Sequence, residues 1–152
     1  MTILEFGINL GQKNLLLIKY YSQENDHSIN ADLRAGFIST LDDFSKDIFG
    51  GDLNMVKMED YQMVIYSILM ETFTEPKEKK ALISYCIIDD EKEEKNIKPL
   101  LKEVLDQFTN RFAVYDIFTK DAKYFEEFKP RVDKLIKNLK LSVKEKFKDL
   151  LF

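Results

Sequence analysis

Glycine, proline and cysteine are all scarce, at five, three and one in a chain of 152 residues. So little glycine and proline, beside 45% hydrophobic and 33% charged residues, excludes collagen-like, low-complexity and disordered chains. What remains is a polypeptide of one ordinary core. The lone Cys86 excludes an intramolecular disulfide and suits a reducing compartment. Long apolar runs are missing too. The longest uncharged apolar stretch, Met63 to Met70, falls far short of the roughly 18 to 20 residues that a membrane-spanning helix needs. The start, Met1-Thr2-Ile3-Leu4-Glu5, has no basic residue and meets an acid at once, so it does not read as a secretory signal and cytoplasmic residence is expected. Nor is there an excess of positive charge. With 23 Lys and Arg against 27 Asp and Glu, the net charge of -4 argues against nucleic acid as a main partner, since that binding draws on phosphate neutralisation.

What the chain does contain is a succession of clear periodicities. Leu4, Phe6, Ile8 and Leu10 alternate with polar or small residues, which predicts a strand with one buried face. After the turn residues Gly11 to Asn14, the apolar run Leu15 to Tyr21 predicts a central strand covered on both sides and hairpinned to the first. A polar loop, Ser22 to Ile29, follows. Leu33, Phe37, Leu41, Phe44 and Ile48 then recur at helical spacing, with Asn30 or Asp32 as cap and Gly50-Gly51 as stop. Leu53 to Met58 and Tyr61 to Met70 read as strands, and Ala81 to Ile88 as a strand central to the sheet. Asn96 to Phe118 reads as a helix with Pro99 in its first turn, and Tyr124 to Leu151 as a last helix that Pro130 kinks or starts. The expected architecture is α/β of the α+β kind, in the order ββαβββαα: five mostly antiparallel strands in one sheet flanked by helices.

No enzyme chemistry is written in these residues. Gly50-Gly51 follows a helix instead of opening one, so it reads as a C-terminal cap and not as a phosphate loop. His27 stands alone in its polar loop, with neither a cysteine nor a second histidine near it in sequence for a zinc site or a proton relay. Cys86 lies in an apolar strand, where a thiol is buried and inert. The acidic clusters Asp42-Asp43 and Asp89-Asp90-Glu91 with Glu93-Glu94 lack the glycine and the alternate spacing of a calcium loop. No cofactor or metal is implied. The 12 Phe and 7 Tyr lack the basic groove that base stacking needs, and most Phe fall on helix core faces.

Two surface features point to partners. With the core face of the first helix centred on Phe37, Ile38 and Phe49 fall roughly 100° to 120° away, beside Arg34, Asp42 and Ser45. Arg34, Ile38, Ser45 and Phe49 are therefore the candidate partner-binding residues, unless other elements cover that flank. The second feature is the tail. Residues 123–152 hold nine basic and five acidic residues, a local balance of +4. This amphipathic stretch either docks on the sheet or, from Leu141 onward, forms a free helix for a membrane surface or a partner. Residues 1–140 are read as the domain and 141–152 as its helical extension.

The stretch Asp32-Leu33-Arg34-Ala35-Gly36-Phe37-Ile38-Ser39-Thr40-Leu41 with Phe44, then Gly50-Gly51-Asp52-Leu53, the strand opening at Tyr61, and Leu101 to Phe112 before a terminal helix, resembles longin-domain proteins, especially small stand-alone archaeal ones. The related roadblock fold usually begins with a helix, and this chain begins with two strands. The resemblance implies a profilin-like sheet and a non-enzymatic adaptor or scaffold that dimerises or pairs with a second longin or roadblock subunit, and that binds a small GTPase or a trafficking-type complex. It carries over no catalytic residue. Two other functions fit the same elements: a small-molecule sensor of PAS or GAF type, and a peripheral membrane protein held by its Lys-rich tail.

Overall fold

The alternating and continuous apolar runs become strands, and the 3.6-residue patterns become helices. A computed structural model of the chain describes residues 3–20, 31–58, 60–89 and 94–151, with residue 94 and residues 141–151 described by their backbone alone. The elements are β1 (Ile3–Leu10), β2 (Lys13–Lys19), α1 (Ala31–Phe49), β3 (Met55–Lys57), β4 (Gln62–Glu71), β5 (Lys79–Ile88), α2 (Glu94–Arg111), α3 (Val114–Thr119), a 3₁₀ helix (Ala122–Phe128) and α4 (Lys129–Leu151). The five strands form one sheet in the order β2-β1-β5-β4-β3, and each neighbouring pair is antiparallel.

Strand alternation sends side chains to two separate cores. Phe6, Ile8 and Leu10 of β1, Val64 of β4 and Leu82, Cys86 and Ile88 of β5 join Ile97, Leu101, Val104, Phe108 and Phe112 of α2, with Phe125, Phe128, Val132 and Ile136 from the later helices. Phe108 and Phe112 pack against each other and each against Phe125 and Phe128, tilted or edge to face, with ring centroids 4.9 to 6.0 Å apart. The opposite face is thinner. There Ile38 of α1 meets Met63, Ile65, Ile83 and Tyr85. The result is three layers, with α1 on one side of the sheet and the remaining helices on the other.

The structure corrects several expectations from the sequence. The run after Gly11 is not a central strand: β2 lies at the edge of the sheet. A register shift after Ile8 sets Ile8 opposite Leu16 and Asn9 opposite Asn14, leaving Leu15 as an extra residue, so Leu15 and Leu16 enter the same core. β1 is buried on both faces and not on one, with Glu5 and Asn9 inside beside the apolar residues. The helix expected from Asn96 to Phe118 stops at Arg111 and resumes as α3. Pro99 lies inside α2, beyond its first turn. The last expected helix opens as a 3₁₀ segment and becomes α-helical at Lys129, so Pro130 sits at its true start, where a missing N–H costs nothing.

The largest correction concerns α1. Its buried residues are Ala35, Ile38, Ser39 and Asp42, and Phe37, the expected centre of the core face, is 57% exposed. Ile38, expected on the outer flank, is 0% exposed. The helix is rotated by about one residue, 100°, from the reading by bulk. Beneath it, Tyr85 and Met63 already fill the layer, so the small Ala35 and Ser39 let the helix approach. At its end Gly50, with φ of 70°, closes the last turn by donating its N–H to Lys46 O at 3.0 Å.

Candidate functional site

Two neighbouring regions on the α1 side carry the features that packing alone does not use. The first is the outward face of α1. Leu33, Phe37, Phe44 and Ile48 are all exposed, with half-buried Leu41 among them, and they follow one another at intervals of four, four, three and four residues. That spacing makes one straight apolar seam of about 22 Å along the helix. Phe49 continues the apolar surface at the end, 76% exposed, with its ring 6.0 Å from that of Phe44. Exposed Asp32, Asp43 and Asp47 flank it. Single exposed apolar residues are ordinary, whereas a contiguous helical stripe of them marks a binding face.

The second is a groove between α1 and the sheet, about 1020 Å³ in volume. Leu33, Phe37, Met58, Tyr61, Met63 and Ile87 supply apolar walls, and Glu5, Asp32 and Arg34 supply charge. Glu5 is 0% exposed. Its Oε2 accepts a hydrogen bond from the Tyr85 hydroxyl at 2.8 Å and an ion-paired hydrogen bond from Arg34 Nη1, while its buried Oε1 has no hydrogen-bond partner among the described residues. The Arg34 side chain is only 16% exposed, because it reaches inward from α1 to that carboxylate. Tyr85 is fixed in turn by β1. A Cβ at Gly7 would sit 2.3 Å from Tyr85 Cε1, so only glycine lets the ring lie across the strand. At the helix entry Asp32 Oδ1 accepts the Asn14 N–H at 2.9 Å, tying β2 to the first turn of α1.

The four residues expected to bind a partner therefore have different placements. Phe49 faces outward, Arg34 is spent on Glu5, and Ser45 is half-buried and donates to Gly51 O at 2.9 Å. Ile38 is a core residue and is not available to a partner, because the rotation of α1 places it against Met63 and Tyr85. The sequence reading missed Glu5 and Tyr85 as a polar pair, since they lie 80 residues apart and Glu5 resembles the solvent side of an alternating strand. It also placed the seam on the wrong side.

Other groups have settled roles. Cys86 is buried, which pushes its thiol up to about 12 and keeps it protonated. Asp42, buried, accepts the Leu53 N–H at 3.3 Å and pairs with Lys46 at 2.8 Å. Burial works to lower the Lys46 pKa, but the hydrogen bond and charge of Asp42, with Asp52 and Asp43, outweigh it and raise the ammonium above its usual range. A second cavity of about 700 Å³ lies between α2 and the start of α4, where Arg111 pairs with Glu127 at 3.5 Å. His27 and Asp90 to Glu93 lie outside the described residues. Among those described, no group of three or more His, Cys, Asp or Glu side chains is placed to hold a metal ion, and no helix is long and apolar enough to cross a membrane. Neither the protein-family models nor the curated proteins compared with the chain include a match.

Proposed function

We propose that the chain is a non-enzymatic, longin-like interaction module whose docking surface is the outward seam of α1. The single observation that carries this reading is the run Leu33, Phe37, Phe44 and Ile48, large apolar side chains left in water along one helix face. Burying such a stripe is worth roughly 1.5 to 3 kcal/mol for each side chain that a partner covers. A helix of the partner, apolar along one side and basic at its margins, complements the seam and its flanking Asp32, Asp43 and Asp47. The resemblance supplies the class of partner: a small GTPase, a second longin or roadblock subunit, or a second copy of this chain. Cytoplasmic residence belongs to the same proposal and rests on the lone Cys86.

The test is the solution mass by light scattering across concentration, alone and with small GTPases. The expected result is a dimer or a complex that the double substitution Phe37→Asp with Phe44→Asp abolishes while the circular dichroism is unchanged. A wild-type chain that stays monomeric and binds no such partner, or an association that survives the double substitution, overturns the reading.

A further inference from the structure

The two edges of the sheet are finished differently. β2 carries a lysine at each end, Lys13 and Lys19, an extra residue, Leu15, in its pairing with β1, and the 3₁₀ helix packed against it. Charge, irregularity and cover are the devices that keep a strand edge from pairing with another chain. The opposite edge lacks them over half its length. β3 has only three residues and pairs with Gln62, Met63 and Val64 of β4, so over residues 66–71 β4 itself is the edge among the described residues. That stretch holds no proline and no lysine, keeps an unbroken register with β5, and has its one charge at the end, in Glu71. Leu69 within it is 67% exposed, and Phe73 just beyond it 85%.

Two backbone bonds show which groups of this edge face outward. Ile65 donates its N–H to Asn54 O at 2.8 Å, on the β3 side, and Thr72 donates its own to Glu78 O at 3.0 Å, on the β5 side. In an antiparallel ladder successive residues turn their N–H and C=O together to opposite sides. Tyr66, Ile68 and Met70 are therefore bonded to β5, whereas Ser67, Leu69 and Glu71 turn three donors and three acceptors to the open side, where no described strand lies. These groups recur at about 6.8 Å, the two-residue repeat of an extended chain. A protein ligand that meets all of them is a strand lying in line with β3.

We infer that residues 67–71 of β4 are a docking edge for an extended segment of a partner protein, added antiparallel to β4 as a further strand. The side chains specify the segment. Those opposite Ile68 and Met70 meet the face under α2, where Tyr66 and Ile68 are half-buried, and the one opposite Leu69 meets its exposed side chain on the α1 face. These positions call for apolar, β-branched or branched residues. Opposite Glu71 a basic residue belongs, because Glu71 is exposed and forms no ion pair among the described residues, even with Lys79 beside it on β5. A second copy of this chain fits less well. Pairing β4 with itself about Leu69 sets Ser67, and not a cation, against Glu71, and the other edge that a copy could offer is the guarded β2. The site lies apart from the seam of α1 and does not depend on it.

The probe is the hexapeptide Lys-Val-Leu-Val-Thr-Lys, acetylated and amidated at its ends, with Glu-Val-Leu-Val-Thr-Glu as its charge-reversed control. Amide hydrogen exchange of the chain is followed by NMR. In the chain alone, the amides of Leu69 and Glu71 are expected to be at least about tenfold less protected than those of Ile68 and Met70, which are bonded to β5. At ten times its dissociation constant the probe is expected to slow Leu69 and Glu71 about tenfold and to leave β2 unchanged. Leu69→Pro removes one outward donor and no ladder bond, so the chain stays folded and the protection of Glu71 by the probe is lost. Glu71→Lys, at an exposed position, reverses the preference between the two peptides by about threefold each way, and it decides the matter if Leu69→Pro does not fold. Phe37→Asp with Phe44→Asp leaves probe binding unchanged, which separates this edge from the seam. Exchange that the probe does not slow saturably, slowing that persists in folded Leu69→Pro, a preference unmoved by Glu71→Lys, or binding lost with the seam overturns the assignment. So does protection of Leu69 that grows with the concentration of the chain alone, which would make a second copy the occupant.

Discussion

The Tyr85 hydroxyl donates to Glu5 Oε2 across 2.8 Å, joining the middle strand of the sheet to its neighbour in the layer beneath α1. Both residues are buried, so neither can exchange this bond for one to water. Tyr85→Phe keeps the ring and removes only the donor. Among the described residues Oε1 is already unpartnered, and Arg34 would be the one remaining partner of the carboxylate. The expected loss is about 1 to 3 kcal/mol of unfolding free energy, read from urea titration monitored by circular dichroism. A change near zero would mean that Arg34 suffices.

Gly7 and Tyr85 are coupled by contact. The Cβ of Gly7→Ala would lie 2.3 Å from the ring of a side chain that is almost wholly buried, and the ring has no free end to swing aside. Overpacking of this kind costs about 1 to 3 kcal/mol. In combination with Tyr85→Leu, which withdraws the ring, the alanine should cost less than it does alone. A double-mutant cycle over the four proteins measures that coupling, expected at about 0.5 to 3 kcal/mol. Strict additivity would contradict the contact.

Much of this fold is legible in the sequence because charge and bulk agree there. No charged residue interrupts Ala81 to Ile88, and β5 does lie at the centre of the sheet. Leu4 to Leu10 alternates, and β1 forms there. What stayed hidden depends on contacts distant in the chain. Glu5 looks like a solvent-side residue, and its partners come from 29 and 80 positions away. Leu15 and Leu16 look like two faces of a central strand, because the extra residue that places them both in one core is a matter of pairing with β1. Apolar bulk on α1 points outward, since hydrophobic residues need not be inside and a helix over a full layer favours small ones at the contact. The groove was invisible for the same reason: it exists only where α1 meets the sheet.

The rotation of α1 separates two adjacent residues by their energetics. Ile38→Ala empties a site packed against Met63, Ile65, Ile83 and Tyr85, and should cost about 2 to 5 kcal/mol. Phe37→Ser, at a position more than half exposed, should change stability by about 0.5 kcal/mol or less. Equilibrium unfolding of the two variants checks both values. The opposite ranking would restore Phe37 to the core and dissolve the seam.

Alkaline pH acts on three groups in the same direction. Burial raises Cys86 from its ordinary 9.0 to about 12, with Lys140 opposing only weakly. Tyr20 is raised above its ordinary 10.0 by burial first, then by its hydrogen bond and charge contact with Asp133, 2.5 Å away. Lys46 is held above 10.5 by Asp42 against the effect of its own burial. Each group keeps its proton in the folded chain where the unfolded chain gives it up. The stability that these three groups contribute is therefore fully present well below their ordinary values, and it falls as pH rises through about 9 toward 12. From Cys86 alone the slope approaches about 1.4 kcal/mol per pH unit once the unfolded thiol is ionised. Urea midpoints measured from pH 8 to pH 11.5 should decline, with the part beginning near 9 removed in Cys86→Ala and a part beginning near 10 removed in Tyr20→Phe. A profile that stays level in the wild type would place Cys86 in contact with water, against its position between β5 and α2.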